Sequence, residues 1–507
     1  MMLLRPYQRA FVNAVFQSWQ QFNRTLGVAP TGSGKMIIFA EICRHRLKHG
    51  RILVLAHRDE LIDQARDKLY RARGLGSAKE KAADYADLDA GIVVASVQTL
   101  ARQKRRERYR RGHFTTAVID ESHHVPAPSY QGILSYFELD KILGVTATPD
   151  RGDARALGTF FEDIAYEISL VQLIKDGYLS PIKVRTVPVS IDITGVSARA
   201  GDFSEEELAV ALEPVLEEVA EGIATYAKER KALVFVPLVR IADQFAEILR
   251  SHGFAAEMIS GKCADRREKL ARFGSRETRV LVNASLLTEG FDEPSIDCVV
   301  CLRPTKIRSF YAQMVGRGTR ICPGKQNLLL LDFLWISRQH SLVKPASLIA
   351  HNEHEAAGIE ACLDESEGDL VGAQNTSRER DLARQILLQR KLNGEVHDLL
   401  DLIDICVAYH APELEHYAPT MHWHTRDITA KQTDFLRRCR VDLSGVRDRG
   451  HAATIITAII AHNEKLPATL KQSNYLRYLG YRGETQGLSK SAAGRLISQF
   501  KAQVATA

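Results

Sequence analysis

The stretch Gly27-Val28-Ala29-Pro30-Thr31-Gly32-Ser33-Gly34-Lys35 constrains the fold of this chain more than any other. An apolar, strand-like run from Thr25 to Ala29 leads into it, and a helical pattern from Met36 to Leu47 leads away. Strand, glycine-rich loop and helix in that order make a cradle for phosphate. The glycines let backbone N–H groups converge on one anion, the new helix adds its positive N-terminal end, and Lys35 reaches the outer phosphate oxygens. Pro30, Thr31, Gly32, Ser33, Gly34, Lys35 and the next residue, Met36, are therefore the expected nucleotide contacts. Such loops usually continue with Ser or Thr, whose hydroxyl holds Mg²⁺. Here Met36 follows, and a thioether is a poor ligand for a hard cation. The expectation is a weakened metal site in which water fills the hydroxyl's place while a second, acidic element anchors the ion.

That acidic element follows in Ala117-Val118-Ile119-Asp120-Glu121-Ser122-His123, an apolar strand delivering two adjacent carboxylates beyond its end. Asp120 is expected to anchor Mg²⁺, and Glu121 to orient or deprotonate an attacking water. The next strand, Ile142 to Val145, ends in Thr146-Ala147-Thr148-Pro149, whose hydroxyls can bridge the acidic pair to the rest of the site. Upstream, Arg5-Pro6-Tyr7-Gln8 opens an amphipathic helix, and the Gln8 amide could read an adenine edge. Arg51 to Ala56 is a continuous apolar strand suited to a sheet covered on both faces, and it ends in His57-Arg58. Gly91 to Ala95 ends in Ser96-Val97-Gln98-Thr99. Polar loops at strand C-termini lie where open parallel sheets bind ligands. The basic run Lys104-Arg105-Arg106, with Arg108, Arg110 and Arg111, reads as a solvated face.

A second α/β pattern begins at the strand Lys231 to Val236, after a stretch, residues 169–212, that reads as an irregular bridge. Val280-Leu281-Val282-Asn283 runs into Leu287-Thr288-Glu289-Gly290-Phe291-Asp292. Gln313-Met314-Val315-Gly316-Arg317-Gly318-Thr319-Arg320 follows. Arg317 and Arg320 are three apart, which predicts one shared helix face.

Pro-Thr-Gly-Ser-Gly-Lys, Asp-Glu-Ser-His, Thr-Ala-Thr-Pro, the Thr288–Asp292 segment and Gln-x-x-Gly-Arg-x-x-Arg resemble motifs I, II, III, V and VI of superfamily 2 helicases. The branch is the one containing RadD, XPB-type helicases and the motor subunit of type III restriction enzymes. The resemblance extends to about residue 350. It implies an α/β fold of two tandem RecA-like domains, parallel sheets flanked by helices, with ATP and Mg²⁺ bound between them. It also implies catalytic roles for Lys35, Asp120, Glu121, Gln313, Arg317 and Arg320, with Arg320 the better finger and Gln313 sensing the γ-phosphate and the motif II histidine, His123. His123, Thr146 and Thr148 would couple the domains, Gly290 and Asp292 would join the nucleotide contacts, and His57, Arg58, Gln98, Thr99 and Thr288 would line a nucleic-acid path. By resemblance the strand is DNA rather than RNA.

The domains expected are 1–168 and 213–350 for the two α/β halves, 351–420 for a helical or linker region, and 421–507 for a basic helical module. Of a net charge of +6, residues 421–507 carry 14 Lys/Arg against 6 Asp/Glu, a surplus of 8, so the rest is slightly negative. That placement suggests a polyanion partner. Within the module Thr429-Ala430-Lys431-Gln432-Thr433-Asp434-Phe435-Leu436-Arg437 matches Thr469-Leu470-Lys471-Gln472-Ser473-Asn474-Tyr475-Leu476-Arg477 at an offset of 40. A duplicated helical hairpin is expected, with Phe435 and Tyr475 in its core and Lys431, Arg437, Lys471 and Arg477 on phosphates. Docking of a repair or defence protein is the competing use of this module. His422-Trp423-His424 is too isolated for a metal site. Cys298 and Cys301 read as strand residues, and the eight scattered cysteines as reduced thiols of a cytoplasmic protein. No apolar run approaches the roughly 20 residues of a membrane span, and no Asp…Glu-x-Lys cluster suggests a fused nuclease. The reading is an ATP-dependent DNA helicase or translocase of DNA repair or phage defence. Its alternatives are an ATPase that clamps or remodels DNA without unwinding it, or a nucleotide-gated adaptor.

Overall fold

The computed structural model describes residues 3–505, except 57–58, 148–156, 200–201, 262, 285–290, 337–341, 393–398, 401, 410, 412–413, 415–416, 420, 422–423, 466–467, 469, 480, 482 and 484–487. The chain divides into two compact units, Met1–Ser377 and Arg378–Ala507.

The first unit holds two parallel sheets. The first contains β1 (Arg24–Val28), β2 (Ile52–Ala56), β3 (Ala78–Glu80), β4 (Ile92–Ser96), β5 (Thr116–Asp120), β6 (Lys141–Thr146) and β7 (Asp163–Glu167), in the order β3-β4-β2-β5-β6-β1-β7. Every position of β2 and β4 is buried, which is why both read as unbroken apolar runs. β6 lies between β5 and β1, so three segments leave the carboxyl edge side by side. They are the glycine loop after β1, Thr146 at the end of β6, and Asp120 to His123 after β5. Residues about 90 apart in sequence meet there because of this strand order alone.

The second sheet contains β8 (Ile182–Asp192), β11 (Ala232–Val236), β12 (Ala256–Ile259), β13 (Val280–Ala284), β14 (Cys298–Cys301) and β15 (Leu328–Ile336), in the order β12-β13-β11-β14-β15-β8. A small antiparallel pair, β9 (Ala198–Arg199) and β10 (Asp202–Phe203), stands apart. β8 corrects the sequence reading, which took 169–212 for an irregular bridge. Ile182, Val184, Val187, Val189 and Ile191 are buried, and the strand pairs along all of β15 as the sheet's edge. Pro188 disguises it. Proline has no N–H to donate, and the pairing shifts register there, from Val187↔Phe333 to Ser190↔Leu334. Cys298 and Cys301 are buried in β14 as free thiols, and burial pushes both pKa values up.

The basic run 104–111 is also corrected. Arg105 is buried and donates from Nε to Glu80 Oε1 at 2.6 Å and from Nη1 to the Ala82 carbonyl at 2.6 Å. Glu80 is fully buried and accepts further from Tyr109 Oη at 2.7 Å and Ala86 N at 2.8 Å. Arg106 and Arg111 lie over the Tyr136 ring. Arg105 and Arg108 thus clamp Glu80 of β3, while Lys104, Arg110 and Arg111 are exposed as the sequence reading has them.

In the second unit the repeat is visible in the backbone. The helices Ala430–Arg438 and Leu470–Tyr478 are nine residues each, at an offset of 40. Each is followed by the same closing bond, Val441 N to Leu436 O at 3.0 Å and Tyr481 N to Leu476 O at 2.9 Å. Thr429 caps the first, accepting from Gln432 N at 3.3 Å, while Gln432 Oε1 accepts from Thr429 N at 3.1 Å. Leu436 and Leu476 are both fully buried. Phe435 packs against the core, but Tyr475 is 38% exposed, so only one of the two aromatics is where the sequence reading put it. Longer helices, Arg449–Lys465 and Lys490–Ala505, complete the hairpins.

Removing one partner of a buried charge pair costs about 3–5 kcal/mol. Arg105→Ala is therefore expected to destabilise the first sheet's domain by about 3 kcal/mol, read as a lower urea midpoint, with affinity for DNA unchanged.

Candidate active site

Gly32 and Gly34 have φ of +89° and +79°, values that a side chain resists, and the helix Lys35–Arg46 starts directly after them. A Cβ on Gly34 would come within 2.7 Å of Gln8 Nε2. Gln8 is almost fully buried and engaged at both ends. Its Nε2 donates to the Ser33 carbonyl at 3.1 Å, and its Oε1 accepts from Arg5 N at 3.0 Å. Tyr7 Oη donates to the same Ser33 carbonyl at 2.5 Å. Gln8 therefore braces the loop from behind, which corrects its reading as a base-contacting amide.

Lys35 Nζ lies 3.3 Å from Glu121 Oε1, with both side chains about nine-tenths buried. Adjacent strand residues point to opposite faces, so Asp120 and Glu121 could not normally share a cleft. Glu121 breaks the alternation by adopting a left-handed conformation, φ +49° and ψ +53°, which costs an L-residue roughly 1–2 kcal/mol. Its amide then donates to Asp120 Oδ1 at 3.0 Å, and His123 Nδ1 lies 3.5 Å from its Oε2. Burial drives the Glu121 pKa upward, but Lys35 and His123 outweigh it and hold the carboxyl below its usual range. For Asp120 burial wins over Lys35, and its pKa is raised.

Lys35, Asp120 and Glu121 line one wall of a cavity of about 610 Å³, together with Thr31, Gly32, Gly34 and Met36. Phe291, Asp292, Arg317 and Arg320 line the other. Arg317 Nη1 and Arg320 Nη1 both donate to the Phe291 carbonyl, at 2.9 and 3.2 Å. Arg320 Nε is 3.2 Å from Asp292 Oδ1, and Lys68 Nζ from the first domain is 3.0 Å from Asp292 Oδ2. The two arginines do not share a helix face as expected. The helix Arg308–Gly316 ends at Gly316, Arg317 caps it, and Arg320 lies in the turn beyond. The helix stops because it meets the glycine loop. A Cβ on Gly316 would sit 2.5 Å from Thr31 Cβ, and Thr319 Oγ1 donates to the carbonyls of Gly316 at 3.0 Å and Thr31 at 3.5 Å. Convergence of the arginines comes from the turn.

The donor set fits a magnesium nucleotide. Asp120 offers a desolvated carboxyl to the cavity, and the buried Thr31 hydroxyl has no hydrogen-bond partner among the described residues. Mg²⁺ needs only one or two protein carboxylates when phosphate oxygens and water complete its shell. Met36 packs partly against the core and offers no oxygen. Among the described residues no cluster of three or more His, Cys, Asp or Glu could hold another ion. Ser33 and Thr146 are fully buried beside the site, with hydroxyls that also lack a hydrogen-bond partner among the described residues, and Pro30 lies in the same loop. Gln313 is buried on the Arg308–Gly316 helix.

Of the expected nucleic-acid contacts, Gln98 is exposed beyond β4, while Thr99 is buried and its hydroxyl accepts from Ala82 N at 3.1 Å. Thr99 thus holds a loop in place. Lys431, Arg437 and Arg477 are exposed on their helices, and Lys471 shares the helix of Arg477. His57, Arg58, Thr148, Thr288 and Gly290 lie outside the described residues. Lys68 was missed, because a lone lysine on an amphipathic helix carries no local mark.

Residues 1–151 match the family described as the res subunit of type III restriction enzymes, and residues 213–322 match the helicase conserved C-terminal domain. The chain belongs to helicase superfamily 2. IRC3 of Saccharomyces cerevisiae, named as an ATP-dependent helicase, is 29% identical to this superfamily 2 chain over 405 residues, covering 75% of it. The irc3 protein of Schizosaccharomyces pombe, named as a mitochondrial ATP-dependent helicase, is 33% identical over 361 residues, covering 67%. The chain spans 58% of the length of each. A fragment of an HsdR subunit of a type I restriction enzyme from Vibrio vulnificus shares the fold, with a TM-score of 0.52 at 24% identity over 68% of this chain and 71% of the fragment. Two parallel sheets flanked by helices are the tandem RecA-like architecture of the superfamily, as the motifs implied. Among the described residues no helix is long and apolar enough to cross a membrane.

Because Gln8 acts on the loop rather than on a base, Gln8→Ala is expected to weaken ATP and GTP equally. The loss should be about fivefold, the worth of one hydrogen bond to a buried carbonyl, in a fluorescent-nucleotide titration.

Proposed function

We propose that this chain is an ATP-driven DNA helicase or translocase. One observation carries the reading. Lys35, Asp120 and Glu121 line one wall of a cavity whose other wall, built from a second sheet, presents Arg317 and Arg320. In the proposed reaction ATP lies in this cavity with its phosphates on the Thr31–Lys35 loop. Asp120 would hold Mg²⁺, which when bound neutralises charge on the phosphate oxygens. Glu121, held ionised by Lys35 and His123, accepts the proton of the attacking water. Arg320 exchanges Asp292 for the developing charge of the γ-phosphate, and Arg317 supports it from the helix end. The finger belongs to the opposite wall, so hydrolysis proceeds only when the two domains are closed. Each turnover then reports on domain motion, which is what movement along a strand requires.

The basic surplus of residues 421–507 favours a nucleic-acid track, and the resemblance to the RadD and XPB-type branch favours DNA. Repair or phage defence in the cytoplasm is the setting this reading implies, with the second unit free to recruit a further protein.

ATP turnover measured with single-stranded DNA, duplex DNA and RNA in turn tests the reading, and turnover indifferent to all three would sink it. Arg320→Ala should lower kcat at least a thousandfold, in the range known for finger arginines, with a much smaller change in KM. Met36→Thr should shift the Mg²⁺ dependence of turnover to lower concentration, and an unchanged titration would count against the weakened metal site.

A further inference from the structure

The second unit carries an exposed aromatic pair for which the repeat itself provides no structural need. Tyr478 is 83% exposed and Tyr475 38%, both on the helix Leu470–Tyr478. Their ring centroids lie 6.0 Å apart with planes within 13° of parallel. Three residues apart, they share one face of the helix, and Asn474 and Arg477 are exposed beside them. We propose that Tyr475 and Tyr478 form a stacking platform for the bases of single-stranded DNA, with Arg477 on the adjoining phosphates. The inference rests on the reading of the chain as a DNA motor.

The duplication is an internal control. Leu476 and Leu436 are buried alike and anchor the two equivalent helices. At the positions matching Tyr475 and Tyr478 the first copy has Phe435, packed against the core, and Arg438, exposed. The same backbone therefore folds with an arginine where Tyr478 stands. A phenol ring that gains almost no burial is not there for stability, and two such rings lying parallel differ from an apolar side chain exposed singly. The charge around them selects the occupant. Residues 421–507 carry 14 Lys/Arg against 6 Asp/Glu, so a polyanion is attracted to this module. Among polyanions only unpaired strands offer base faces to an exposed ring, whereas a duplex keeps its bases stacked inside. Arginine beside aromatic rings is the composition of a single-strand surface, with backbone charge met by one residue type and base faces by the other.

The test uses the full chain without nucleotide and a fluorescent oligothymidylate of roughly 20 nucleotides, followed by anisotropy across a salt series, with a duplex of equal length beside it. Tyr478→Ala should weaken single-strand binding about tenfold at every salt concentration, leaving the salt slope and duplex affinity unchanged. Tyr478→Phe keeps the ring face and should bind like the wild type. Arg477→Ala should reduce the salt slope by about one. Tyr478→Trp should bind normally and have its fluorescence quenched by the oligonucleotide. Wild-type affinity in Tyr478→Ala, or a Tyr478→Trp signal indifferent to DNA, overturns the platform and leaves this face to a protein partner. Binding of the duplex alone by the wild type overturns the platform and leaves the motor reading standing, whereas a wild type that binds neither single-stranded DNA nor duplex sinks both.

Discussion

The ion pair between Lys35 and Glu121 is the contact that the rest of the first unit serves. It joins the loop after β1 to the turn after β5, two strands away across β6, and both charges are largely out of water. Buried charges persist only when paired, so the strand order and the strained backbone at Glu121 are both conditions of that contact. The pair is not electrically closed. Asp120 brings a second carboxyl whose ionisation burial opposes, and Arg320 is a guanidinium that burial also disfavours. A metal-bound triphosphate would satisfy each of these groups at once, supplying a cation to Asp120 and anionic oxygen to Lys35 and the arginines.

The contacts that cross the cavity differ in kind. The Thr31 side chain lies close against the Gly316 backbone, where no added carbon is tolerated, and Thr319 bonds the Thr31 carbonyl, a fit that defines how the second domain sits on the loop. Lys68 with Asp292 is a partly exposed pair, with side chains 32% and 42% accessible, and such pairs contribute only about 0–1 kcal/mol. The closed arrangement thus combines a definite fit with a weak electrostatic hold. In the proposed motor that balance would let the domains reopen after each turnover, which a strong buried pair across the cavity would resist. Asp292 also engages Arg320, so the residue that helps hold the domains together is the one that keeps the proposed finger near the cavity.

Much of this was legible because the chemistry is local. A phosphate loop needs its glycines and lysine adjacent, and a strand delivering carboxylates needs its apolar run directly before them, so Gly32 to Lys35 and Ala117 to Glu121 announce themselves. What escaped depends on partners distant in sequence. Arg317 and Arg320 look like one helix face by spacing, but the helix ends where Gly316 touches Thr31, a contact that only the fold creates. Gln8 resembles a base reader until the Ser33 carbonyl occupies its amide. Arg105 looks solvated because Glu80, the charge that buries it, is some 25 residues away on a short strand. β8 was hidden by Pro188, which an interior strand could not accept but an edge strand absorbs by a shift in register.

The duplicated helices show the same limit from the other side. Similar sequences predicted similar environments for Phe435 and Tyr475, and the backbone did repeat, down to the bond that closes each helix. Exposure did not repeat, because burial is a property of what packs against a residue and not of the helix that bears it. The leucines are constrained by the hairpin's own interior, so they stay buried in both copies, whereas the outer face is free to diverge. A repeated scaffold can therefore hold its fold with one set of positions while the other set takes on separate surfaces, one charged at Arg438 and one aromatic at Tyr478.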